Sequence, residues 1–203
     1  MKKSQIVLLI FTLLYLALYS VYYFLQHNYE FGIYIFLILI IVLIIVKKET
    51  IFGFDDIMLW GISLLGLLHL VAGSFLINDV LLYGYKLYPF LDNGGDFYIL
   101  KFDQVVHLYG HIVVGMMMFS LVFKSLLRRT NLYLMLFFAL CISMGIGVTN
   151  EIVEFFVYTI LQDNGVGGIY NMGFDLLFNF FGSVIGVLIQ FSRLKLRKGM
   201  KFE

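Results

Sequence analysis

The stretch FDQVVHLYGHIVVGMMMFSLVF, residues 102–123, decides the fold. From Gln104 to Phe123 it runs 20 residues without a formal charge. About 20 apolar residues, rising 1.5 Å each, are what a helix needs to cross the hydrocarbon of a bilayer. Yet Asp103, His107 and His111 recur every fourth residue, which places them on one stripe of that helix with about 6 Å of rise between neighbours. Ionisable groups at such depth are costly in lipid, so the stripe must face protein, water or a bound ion.

The rest of the chain agrees with lipid as the solvent. Of 203 residues, 62% are hydrophobic and 13% charged, and the mean hydropathy is +0.96. That composition excludes an ordinary soluble domain and a disordered chain. A net charge of +1 gives no case for nucleic acid, and one cysteine, Cys141, cannot form an internal disulfide. Five further charge-free windows occur, at Ser4–Tyr29, Phe31–Val46, Ile57–Asn78, Thr130–Asn150 and Leu176–Ser192. The fifth span continues through Glu151 and Glu154, because apolar residues resume around both. The expected architecture is all-α and single-domain: a polytopic transmembrane bundle of six helices over about 5–26, 31–47, 57–78, 103–125, 131–161 and 171–192.

Lysine and arginine set the orientation. With the N-terminus cytoplasmic, twelve of the fourteen lie inside and only Lys86 and Lys101 outside. Both termini are then cytoplasmic, in the plasma membrane. The first apolar run is too long for a signal peptide and has no small-x-small cleavage site, so it reads as an uncleaved helix. The connection Asp79–Asp103 falls outside. Within it Lys86–Lys101 reads as a hairpin turning at Asp92, Asn93, Gly94 and Gly95, or as an irregular aromatic loop, since Pro89 and Gly84 weaken one strand. Tyr83, Tyr85 and Tyr88 are expected at the headgroup level.

Other polar residues repeat the helical spacing. Glu151 and Glu154 share a face of the fifth helix. Asn171, Asp175 and Asn179 step by four into the sixth, and Gly182 and Gly186 extend that stripe, permitting close helix approach. Counting depth from the outer ends places His107, Glu154 and Asn179 at one level and His111, Glu151 and His69 slightly deeper, so four helices offer polar groups to one chamber open to the outer face. Asp103, Glu151, Glu154 and Asp175 would crowd four negative charges there with no arginine or lysine in the spans, a state that requires carboxyl protons or a bound cation. Histidines and carboxylates from different helices suit zinc, iron or manganese, although neither the H-E-x-x-H motif nor the di-iron Glu-x-x-His pattern is present. Each histidine taken singly is a plausible packing residue, Asp103 a helix cap, and Asn179 interhelical glue. Met116, Met117 and Met118 face different directions and read as core filler.

From His69 to about Leu188 the chain resembles the YjdF-like membrane proteins, themselves similar to the VanZ-like group. The resemblance rests on His69–Gly73 followed by a tyrosine-rich loop, on Phe102-Asp103-Gln104-Val105-Val106-His107, on Asn150-Glu151-Ile152-Val153-Glu154-Phe155, and on Asp175-Leu176-Leu177-Phe178-Asn179-Phe180-Phe181-Gly182. It implies a polytopic protein of the cell envelope and groups Asp103, His107, Glu151, Glu154, Asp175 and Asn179 as a unit. The family pattern has an acidic residue where this chain has Asn171.

The function expected first is a metal-dependent enzyme acting on an envelope lipid or other amphiphile. His107, His111 and Asp175 would hold the metal and Glu151 or Glu154 would act as base, with Asp103, His69, Asn171 and Asn179 binding substrate or supporting the ligands. A proton- or cation-coupled transporter using the same groups is the alternative, and a non-catalytic membrane binding protein the third.

Overall fold

A computed structural model describes residues 2–94, 97–126, 131–160 and 168–198. Its helices are α1 (Lys3–Leu25), α2 (Tyr29–Lys47), the short α3 (Glu49–Phe52), α4 (Asp56–Ala72), α5 (Phe102–Leu126), α6 (Leu132–Ile160) and α7 (Ile169–Lys198). Between α4 and α5 lie strands β1 (Leu76–Ile77), β2 (Val80–Leu81), β3 (Lys86–Asp92) and β4 (Tyr98–Lys101), with a 3₁₀ turn at Leu82–Gly84. By length and composition α1, α5, α6 and α7 suffice to cross a membrane, while the apolar helices α2 and α4 are shorter.

Local signals explain the boundaries. The α1–α2 corner turns at His27, whose φ is 53°, and Asn28 caps α2 by accepting from the Phe31 amide at 3.3 Å. Asp55 caps α4 in the same way through Met58. The third span, expected to reach Asn78, stops instead at Ala72. Gly73 follows as its cap, and Asn78 and Asp79, at φ 50° and 62°, form the two-residue turn that pairs Ile77 with Val80. Two positive φ angles in succession are what such a hairpin requires, and asparagine and aspartate tolerate them best after glycine. His69 consequently lies within one turn of the end of α4 rather than nine residues below it.

The expected second hairpin forms. β3 and β4 are antiparallel, with Lys86 opposite Lys101 and Asp92 opposite Tyr98. Gly94 takes φ +87°, and the Asp92 side chain accepts its amide at 3.0 Å; Gly95 lies outside the described residues. β3 is exposed along its length, whereas Tyr98 and Lys101 are buried. Pro89 is accommodated on that exposed strand, where its missing N–H costs little. Tyr88 is exposed, whereas Tyr83 turns inward and bonds His69 Nδ1.

The most extensive helix contact joins α5 and α7. It depends on glycine. A Cβ on Gly186 would fall on the Ile112 backbone carbonyl, one on Gly182 against the Leu108 carbonyl, and one on Gly115 would sit 2.7 Å from the Ser183 carbonyl. The two backbones therefore touch, and the polar stripes of α5 and α7 are held face to face. Apolar clusters close the remaining seams: Leu8, Met58, Leu59, Val113, Met116 and Met117 between α1, α4 and α5, and Phe119, Phe123, Met135, Ala139 and Val187 between α5, α6 and α7. Met116 and Met117 are core filler, as expected. At the other end Arg193 of α7 bonds Asp55 at 2.7 Å, joining α7 to the cap of α4.

Gly186→Ala should lower stability by about 1–3 kcal/mol, the cost of overpacking against a backbone atom that cannot yield. Gly145→Ala, whose new Cβ would meet nothing within 4 Å, should be neutral or better. Thermal unfolding in detergent checks the pair.

Candidate functional site

His107 is the hub of the polar cluster. Its Nδ1 lies 3.0 Å from Asn179 Oδ1 and 3.3 Å from Glu151 Oε1, while Nε2 faces Asp103 Oδ1 at 3.4 Å and Glu154 Oε1 at 3.9 Å. One residue from α7, two from α6 and one from its own helix thus meet a single imidazole. The i, i+4 stripe of α5 supplies Asp103 directly above His107, and the α5–α7 backbone contact brings Asn179 within reach.

Amides hold the carboxylates. Asn179 Nδ2 donates to Glu151 Oε1 at 3.0 Å, and Asn150 Nδ2 to Glu154 Oε1 at 2.8 Å. Asn171 Nδ2 donates to Asp103 Oδ2 at 2.9 Å and to Asp175 Oδ2 at 2.6 Å. Asp103, Glu151, Glu154 and Asp175 are only 7%, 5%, 6% and 0% exposed. The expectation that these charges have no basic neighbour is corrected by Lys101, buried at the end of β4, whose Nζ donates to Asn171 Oδ1 at 2.9 Å. Lys101 lies outside the charge-free spans, two residues before Asp103, where helical spacing does not place it beside the cluster. Gln104, fully buried, fastens this corner to α5 by accepting the Lys101 amide and donating to the Tyr98 carbonyl, each at 3.0 Å.

The expected deeper level divides. Glu151 joins His107, but His111 turns to Ser183 Oγ at 3.1 Å, and Ser183 in turn meets Ser143 at 2.8 Å. His69 bonds Tyr83 and packs edge-on against Tyr34. Burial pushes the Tyr83 phenol well above its usual range, with Asp103 and Glu154 adding to the effect. Tyr83, Lys101 and Asn150 are the site residues that spacing alone did not single out.

Two sets of side chains could each hold one metal ion: Asp103, His107 and Asp175, and His107, Glu151 and Glu154, with the donor atoms of each set within 4.8 Å of one another. His111 belongs to neither among the described residues. Two carboxylate oxygens, Asp175 Oδ1 and Glu151 Oε2, are buried without a hydrogen-bond partner among the described residues. Such atoms are rare in native proteins and costly in a low-dielectric interior unless a ligand meets them.

The space that reaches the hub is apolar. A cavity of about 310 Å³ runs between α1, α2, α4, α5 and α6, with His69, His107, His111 and Asn150 in its wall among many Leu, Ile and Val side chains. The Tyr83 turn and the Tyr98–Lys101 corner pack against α5, and the cavity that reaches His107 has hydrocarbon-like walls.

Long apolar helices enclosing a buried His, Glu and Asp cluster define a multi-pass membrane protein with a polar site at depth. Residues 6–196 match the family described as "Predicted membrane protein (DUF2238)", and the chain belongs to that family. No curated protein and no solved structure matches it.

Asn171→Ala removes three hydrogen bonds, to Lys101, Asp103 and Asp175. Each orphaned buried group costs about 1–3 kcal/mol, so the variant should be destabilised by at least about 2 kcal/mol, measured by thermal unfolding in detergent. Asn171→Asp, which adds a carboxylate to the cluster, should become more stable when divalent cations are added.

Proposed function

We propose that the protein is a metal-dependent membrane enzyme acting on an amphiphilic envelope substrate, with a divalent cation held by His107, Asp103 and Asp175. The observation that carries this reading is that Asp175, with its Oδ1 buried and unpartnered among the described residues, offers a donor atom within 4.8 Å of those of His107 and Asp103. The separation of His107 Nε2 from Asp103 Oδ1, 3.4 Å, is long for a charged hydrogen bond but is the spacing of two ligands that each sit about 2.1 Å from one tetrahedral ion. Asn179 supports it by accepting from Nδ1, which leaves the Nε2 lone pair for a cation, as outer-shell partners of metal-bound histidines do.

Charge points the same way. Four carboxylates against Lys101 leave three negative charges in the cluster, an imbalance that a divalent ion reduces. One imidazole with oxygen donors suits manganese, iron or zinc. The ion would supply Lewis acidity and polarise an ester or phosphoryl oxygen. Glu154, held by Asn150 at the cavity wall, is the base that takes a proton from the attacking water, and Glu151 balances it across His107. His111, engaged with Ser183, steadies the α5–α7 contact rather than binding the ion.

A coupled carrier is the second reading, and the α7 stripe bears on it. Asn171, Asp175, Asn179, Ser183, Gln190 and Arg193 continue along one face, but between Ser183 and Gln190 that face is Gly186 pressed on the Ile112 backbone. A side-chain relay would have to cross that gap, which favours the enzyme. The resemblance to VanZ-like proteins supports an envelope substrate, and the lysine and arginine distribution supports a plasma-membrane site with both termini cytoplasmic.

Protein purified in mild detergent without chelators should carry about one divalent ion per chain by elemental analysis. His107→Ala should lower this at least about tenfold, because losing a ligand should cost no less than the 10- to 100-fold of outer-shell changes, while His111→Ala should retain it. No stoichiometric metal after supplementation with zinc, manganese and iron would contradict the proposal. For orientation, in a Cys141→Ala background, Asn93→Cys should react with an impermeant thiol reagent on intact cells and Lys48→Cys should not; the reverse pattern overturns the topology.

A further inference from the structure

The apolar cavity beside His107 has the form of a tube. Its α2 wall runs from Tyr34 to Val46, 13 residues and so 12 rises of 1.5 Å, about 18 Å. That is close to the ~15 Å occupied by one leaflet of acyl chains, half of the ~30 Å hydrocarbon core. The volume, about 310 Å³, is at the low end of small-molecule sites, roughly 300–1,000 Å³, and suits one chain rather than two.

Away from one end the polar groups of the wall are already engaged. At the start of α1, Gln5 accepts the Lys2 amide at 2.7 Å. Midway along the wall, Thr12 and Ser63 bond each other at 2.7 Å, and the Tyr15 hydroxyl is spent on the Ser63 carbonyl at 2.9 Å, so these groups have little to offer a ligand. At the other end of α2's stretch stand Tyr34, His69, His107 and Asn150. His69 Nε2 is buried there without a partner among the described residues. Its tautomer follows from the other nitrogen. The Tyr83 hydroxyl meets Nδ1, and donating to it is the arrangement that leaves no orphaned O–H, which puts the ring hydrogen on Nε2. His69 therefore presents an N–H donor beside the cavity, next to His107.

Resting on the metal-centre reading of the same site, we propose that this tube binds a single-chain amphiphile, its aliphatic tail lying along α2 and its head, an acceptor oxygen of an ester or phosphate, held by His69 Nε2–H next to the His107 cluster. The tail enters from the bilayer, and the head reaches the carboxylates along the cavity wall that holds His69, His107 and Asn150. Tyr83 is a positioning residue that fixes the His69 ring.

The test is photolabelling of the full-length protein in nanodiscs with two probes carrying a diazirine at the chain terminus, monopalmitoyl glycerol and hexadecyl phosphate. With the head at His69, the label should fall on the far end of the tube, at Leu8, Val42, Ile45 and Leu59, and Val42→Trp should abolish it there while leaving the fold intact by thermal unfolding. His69→Phe should weaken labelling about three- to tenfold, the worth of one hydrogen bond. His69→Gln, which keeps an N–H donor, should recover part of the loss, and Tyr83→Phe should mimic His69→Phe. Stronger labelling by one probe assigns the head as ester or phosphate. Labels spread evenly over the lipid-facing surface of α6, or a His69→Phe protein that labels like wild type, would overturn the proposal. Both outcomes are independent of metal content: tube labelling in protein without metal sinks the metal reading alone, and no tube labelling in metal-replete protein sinks the lipid site alone.

Discussion

The contact on which the structure depends is the one between the α5 and α7 backbones. Gly115, Gly182 and Gly186 place no Cβ of their own between the two helices, so Asp103, His107 and His111 on one stripe meet Asn171, Asn179 and Ser183 on the other at hydrogen-bond distance. In lipid, helix association draws little from the hydrophobic effect and much from close packing and interhelical hydrogen bonds. The glycines provide the first and thereby allow the second. With bulkier residues there, the helices would separate and the polar side chains would face one another across a gap that hydrocarbon cannot fill.

That contact creates the electrostatic problem the site has to solve. Four carboxylates are buried together, and the amides of Asn150, Asn171 and Asn179 satisfy only some of their oxygens. Lys101 enters from the hairpin as one compensating charge, and two oxygens remain without partners among the described residues. A cluster of this kind adds nothing to stability when left half-satisfied, so its presence in a membrane bundle argues for a ligand that completes it.

Much of this was legible in the sequence because helical periodicity and depth are linear in residue number. The four-residue steps of Asp103 and His107, of Asp175 and Asn179, and the Glu151/Glu154 pair specified both face and level, and they do converge on His107. The hairpin could be read from its turn residues. What failed was whatever depended on the irregular segment between α4 and α5. Depth for His69 was counted from Asn78, but Gly73 ends the helix earlier. Tyr83 was assigned to the headgroups because aromatic loop residues usually lie there, whereas its hydroxyl found an imidazole to bond. The contact of Lys101 with the cluster is not legible either, because nothing in strand periodicity says that β4 ends against Asn171. His111 shares the stripe of His107, yet one turn further along the partner on α7 is a hydroxyl rather than a carboxylate, and spacing alone does not distinguish these.

The central claim is that His107 and its carboxylates form a metal centre. X-ray absorption at the edge of the metal that copurifies with the protein tests it most directly. The account predicts an oxygen-rich shell with a single imidazole, whose scattering disappears in His107→Ala and persists in His111→Ala. A shell with two imidazoles or with sulfur, or a protein that carries no metal to measure, would contradict it.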